Sequence, residues 1–164
     1  MLEIIQNTPT WVFVLFVFLV FLGLSQTKDK KSSLNKILIF PAIMLLLSYL
    51  GVVSAFGFDF QSNISYLFGL AIGVYLSYFF KIPRKSTYDL KEGLFFIKGS
   101  FLPFYLIMSI FLLKYYVGVV TAKELEFIHD LSFVVLISLF YGLFSGVFLG
   151  RLLVLLKIKK GKDN

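Results

Sequence analysis

The sequence predicts an all-α polytopic membrane protein with five transmembrane helices, arranged as one helix plus two parallel-repeat helical hairpins (helices 2–3 and 4–5). Three observations lead there. Hydrophobic residues make up 59% of the 164-residue chain and charged ones only 15%, against about 25% charged in a soluble domain. The apolar residues come in long blocks: residues 4–27, 37–58, 60–80 and 131–150 carry no charge, and residues 99–122 are interrupted only by Lys114. Fourteen of the sixteen lysines and arginines lie in three segments that flank these blocks. A charge at the bilayer centre costs roughly 2.5–3.5 kcal/mol while each Leu, Ile or Phe returns a few tenths, so these blocks read as spans of about 20 residues. With no Cys and one His, a disulfide framework, a cysteine-ligated metal and a histidine cluster are excluded.

The helices are expected at about residues 8–27, 35–56, 62–80, 99–122 and 130–156, within a single integral membrane domain covering residues 1–164. Helix 1 opens at Thr8 and Pro9, an N-cap with proline at the first helical position, and Trp11 sits at headgroup depth as an interfacial anchor. The preceding residues carry Glu3 and no basic residue, and no small-residue cleavage site follows Leu24. The first block therefore reads as a span and not as a cleaved leader. Helices 2 and 3 are joined by a tight turn containing Gly57, Asp59 and Asn63. Pro41 and Pro103 fall one to two turns into helices 2 and 4, where each can kink its span and free backbone carbonyls. The longest loop, residues 83–98, has Lys91, Glu92 and Gly93 as a turn between two short apolar stretches. That pattern makes a short hairpin or an interfacial segment whose basic residues reach anionic lipid.

Orientation follows from charge. Lys28, Lys30, Lys31 and Lys36 lie between helices 1 and 2; Lys81, Arg84, Lys85, Lys91 and Lys98 lie between helices 3 and 4; Arg151 and four lysines follow helix 5. With five spans these three segments share one side, while the opposite side carries Lys123 with Glu3, Asp59, Glu124, Glu126 and Asp130. The positive-inside rule places the N-terminus outside and the C-terminus in the cytoplasm. The net charge of +7 is thus a topology signal, and no nucleic-acid partner is expected.

An internal repeat is legible. Helix 3 carries Ser65, Gly69, Gly73 and Ser77, and helix 5 carries Ser138, Gly142, Gly146 and Gly150, both at four-residue spacing. Lys36 and Pro41 match Lys98 and Pro103, and Gly51 to Ala55 matches Gly118 to Ala122, with helix 4 five residues longer between those anchors. A duplication of this kind requires a pseudo-two-fold axis along the membrane normal. Small-residue stripes let helix backbones approach closely in lipid. They serve either contacts within the chain or a homo-oligomer or partner membrane protein.

Lys114 is the one ionisable residue well inside a span, roughly 12 Å along the helix from Ala122. Two readings stand. It lines an outward-facing polar pocket with Asp59, Asp130 or His129 near it, or it snorkels along its stem to the headgroups. His129 beside Asp130 can accept a proton or form half of a metal site, although a lone His at a helix start is ordinarily a loop residue and the other ligands are missing. No nucleophile and base constellation or phosphate loop occurs, so neither enzymatic activity nor a cofactor is expected.

Thr8 to Val12, Gly99 to Pro103, Ile110 to Tyr115 with Gly118, and Gly142 to Arg151 together resemble a bacterial family of small inner-membrane proteins classed as a domain of unknown function. The resemblance covers nearly the whole chain. It implies a polytopic protein of the bacterial inner membrane in which Lys114 and Arg151 fall on motif positions, and it carries no activity. The expected function is binding or transport of a small solute or lipid, with Lys114 in a pocket between the hairpins. The alternative is a structural or accessory subunit that docks a partner through the small-residue faces.

Overall fold

The computed structural model describes residues 8–163, so Glu3, assigned above to the outer side, lies outside the described residues. Five helices carry most of the chain: α1 (Thr10–Ser25), α2 (Leu34–Phe56), α3 (Phe60–Phe79), α4 (Leu102–Ala122) and α5 (Leu131–Asp163). The fold is all-helical in class. Three of the helices, α2, α4 and α5, are long and apolar enough to cross a membrane, and α1 is a shorter apolar helix of 16 residues. α3 has 20 residues and no Asp, Glu, Lys or Arg, with its hydropathy lowered by Gln61, Asn63, its tyrosines and its serines.

Local chemistry sets the helix ends. Asp59 accepts hydrogen bonds from the backbone N–H of Gln61 (2.9 Å) and Ser62 (3.1 Å) and so starts α3. α1 begins at Thr10 with Pro9 as its preceding residue, and Thr8, read above as the cap, instead places its hydroxyl 2.9 Å from that of Tyr115 on α4. α4 starts at Leu102 and not at Gly99, because Gly99 and Ser100 donate their N–H groups to Asp29 (2.7 Å) and to the Gln26 carbonyl (3.1 Å). Pro103 is therefore in the first turn, where its missing N–H costs nothing. Pro41, in contrast, is interior to α2 and leaves the Ile37 carbonyl without its helical donor.

α3 and α5 form the central seam. Ser65, Gly69, Gly73 and Ser77 are all buried, as are Ser138, Gly142, Gly146 and Gly150. The contacts are reciprocal and parallel in direction. Gly69 lies on the backbone of Leu139 and Leu143, Gly142 lies on the backbone of Tyr66 and Leu70, and Gly150 meets Ser77. The Ser77 hydroxyl donates to the Val147 carbonyl (3.0 Å). α2 packs across α5, where Ser48 donates to the Tyr141 carbonyl (2.8 Å), while α4 packs mainly on α1. The core between these helices contains Met44, Val52, Ile107, Tyr141 and Phe148.

A three-stranded antiparallel sheet closes one end. Its strands are β1 (Lys30–Ser32), β2 (Thr87–Asp89) and β3 (Leu94–Ile97), in the order β1-β3-β2. β2 and β3 form the hairpin expected around Gly93, which takes φ +66° in the turn. β1 was not expected; it pairs Lys30 with Ile97 and Ser32 with Phe95. The sheet rests on the far end of α5, which at 33 residues is about 50 Å long and outruns a hydrocarbon core of about 30 Å. Ile37, Tyr88, Phe95, Ile97 and Leu155 make a second small core there.

Candidate functional site

Arg151 is the first charged residue after the charge-free run of α5. Its guanidinium is enclosed where α2, α4, α5 and the sheet meet, and Nη1 is buried with no hydrogen-bond partner. The lone ion pair among the described residues joins Lys31 to Glu92, so no carboxylate neutralises Arg151. A buried donor left unpaired costs free energy, more so when charged.

The guanidinium borders a small open cleft of about 60 Å³, room for a few water molecules or a small anionic group and below the usual range of about 300–1,000 Å³ for drug-sized ligands. Lys30, Lys36, Gln26 and the buried Ser32 line it, and the rest of its wall is apolar, with Phe40, Pro41, Pro103 and Phe148. No acidic residue lines it. Lys30 donates to the Gln26 side chain (2.5 Å). Its pKa is held below the ordinary lysine value, first by burial and then by the positive charge of Arg151. The cleft thus concentrates cationic donors above an apolar floor, an arrangement that favours an anion carried on an apolar body.

The residues singled out on the opposite side are not drawn together in this way. Lys114 lies on the exposed face of α4 and makes no hydrogen bond or ion pair among the described residues. Asp59 is occupied as the cap of α3. His129 is exposed in a single 3₁₀ turn (Glu126–His129), and Asp130 is exposed beside it, its backbone carbonyl accepting from Val134 N–H. No group of three or more His, Cys, Asp or Glu among the described residues can hold a metal ion. Trp11, read as an interfacial anchor, is 64% exposed in the first turn of α1.

In the sequence Arg151 reads as a basic residue at the membrane interface after helix 5, and the cleft is not legible there. Two signals pointed to it: an arginine directly abutting a span, and the matched prolines Pro41 and Pro103, which both line it. The walls come from segments more than 100 residues apart, so spacing alone does not assemble them.

No curated protein and no solved structure matches the chain. The profile of DUF6622, a family of unknown function, matches residues 1–164, and the chain belongs to that family.

Proposed function

We propose that this is a five-span, non-enzymatic membrane protein that binds a small solute or lipid in the Arg151 cleft, on the cytoplasmic side. The observation that carries the reading is the buried Nη1 of Arg151, which has no hydrogen-bond partner, beside a cleft without acidic residues. An ionisable residue at the membrane is a functional-site hypothesis by default, and here its Nη1 is turned inward. Five spans are supported by the parallel burial of α3 against α5, which makes α3 as long a membrane element as its apolar neighbours. With five, the basic loops and the sheet share one end, and the positive-inside rule makes that end cytoplasmic and the N-terminus external.

The reciprocal contacts of Gly69 and Gly142 support a duplicated hairpin with a pseudo-two-fold axis along the seam. The outer helices break that symmetry, since α2 crosses α5 while α4 turns to α1. Binding near Lys114 draws less support, because Lys114 faces away from the bundle. Docking of a partner through the small-residue stripes is likewise less supported, because the two stripes are occupied by each other.

The test is to purify wild type and Arg151→Gln from the membrane and identify by mass spectrometry what each retains. Wild type is expected to keep a bound species that the variant loses. Identical retained material in both would refute the assignment of the site.

A further inference from the structure

We infer that the Arg151 cleft is a seat for a phosphate monoester, held by Arg151 with Lys30 and Lys36 and backed by an apolar wall that takes whatever the phosphate is attached to. The inference rests on the reading above and adds the class of ligand. Three cationic side chains border one cleft, and the only polar uncharged side chains beside them are Gln26 and Ser32. A carboxylate brings one negative charge and a phosphodiester one, whereas a phosphate monoester brings about −1.5 to −2 at neutral pH and several strong acceptor oxygens. The planar guanidinium matches two of those oxygens in a forked pair, and the lysines act as point charges.

Depth narrows the chemistry further. Arg151 directly follows the charge-free residues 131–150, so its guanidinium lies at the level where headgroup phosphates sit. Phe148, one turn earlier on α5, and Pro103, in the first turn of α4, continue the wall toward the spans. Lys30 and the buried Ser32 belong to β1 of the sheet that closes this end. A group entering here meets charge at its head and apolar surface along its body. Lys30 is partly buried, which is the first cause of its lowered pKa, and the positive charge of Arg151 beside it is the second.

The phosphate can arrive on a lipid or on a soluble molecule, and the experiment separates the two. The full chain in neutral detergent is titrated with phosphatidate, phosphatidylcholine, oleate and inorganic phosphate, with occupancy read by native mass spectrometry and stability by thermal melting. Phosphatidate is expected to bind about tenfold or more tightly than phosphatidylcholine or oleate, and Arg151→Gln and Lys30→Met are each expected to weaken it by about tenfold. Lys114→Met, remote from the cleft, is expected to bind as wild type does. Displacement of phosphatidate by inorganic phosphate assigns recognition to the phosphate alone, and failure to displace it assigns recognition to the lipid; both outcomes support the monoester. Oleate binding as tightly as phosphatidate overturns the ligand class and leaves the amphiphile site standing. Absence of binding by every probe, or phosphatidate binding unchanged in Lys30→Met and in Arg151→Gln that melts cooperatively, overturns the site as well.

Discussion

Tyr141 and Arg151 stand about three turns apart on α5, each with a buried polar atom that has no hydrogen-bond partner. Their consequences differ. The Tyr141 ring is fully buried against Gly51 of α2, and Tyr141 does not line the Arg151 cleft. An unpartnered buried hydroxyl costs its desolvation, on the order of 1–3 kcal/mol, and a replacement of the same shape recovers part of that. Tyr141→Phe is therefore expected to stabilise the protein by about 1 kcal/mol, or about 2–4 °C in melting temperature. A lower melting temperature would show that the hydroxyl is satisfied by water. Arg151, by contrast, borders an open cleft, which is why its unpaired Nη1 reads as function and the unpaired hydroxyl of Tyr141 as a packing cost. The sequence makes Arg151 visible as a charge beside a span. It cannot make visible that Asp29, Asp89 and Glu92, all in the loops at the sheet end, are engaged elsewhere: Asp29 by Gly99, Asp89 by its own turn and Glu92 by Lys31.

At the scale of elements, the stripes on α3 and α5 are the clearest link from spacing to packing. A Cβ added at Gly142 would strike the Tyr66 carbonyl, and one added at Gly69 the Leu139 carbonyl, both backbone atoms that cannot swing aside. Gly118, although it stands in the repeat where Gly51 does, has open space around it. Gly142→Ala is expected to cost about 1–3 kcal/mol by overpacking, whereas Gly118→Ala is expected to be neutral or to stabilise by up to about 1 kcal/mol through helix propensity. Thermal melting of the two variants side by side checks this, and equal effects would mean that the seam is looser than its geometry. Four-residue spacing was legible because it is periodic within one helix. What each stripe faces was not, since a small-residue groove fits a neighbour in the chain and a neighbour in another chain alike. β1 was invisible for a related reason. Three residues, Lys30, Lys31 and Ser32, carry no alternation, and their partners in β3 lie more than 60 residues away. The β2–β3 hairpin, closed locally by Asp89 and Gly93, could be read from its turn.

For the whole molecule, the sheet decides more than a cap does. Its strands come from the loop after α1 and the loop after α3, and it rests on the extension of α5, so those three segments share one end whatever the membrane orientation. That constraint ties the charge argument to geometry. If the sheet end is cytoplasmic, every basic cluster is cytoplasmic together, and residues of the α2–α3 and α4–α5 connections are external together. Mixed outcomes are forbidden by the fold. The native chain has no Cys, so single-cysteine variants report each position without background. Phe58→Cys, at a residue 82% exposed in the α2–α3 turn, and Lys123→Cys, after α4, are expected to react with a membrane-impermeant maleimide in intact cells. Lys28→Cys and Lys91→Cys, in the two sheet-forming loops, are expected to react only after permeabilisation. The reverse pattern on all four would keep the fold and invert its orientation, which would put the Arg151 cleft on the external face. Phe58 and Lys123 labelling from opposite sides would instead contradict the parallel pairing of α3 and α5, and with it the proposal of five spans.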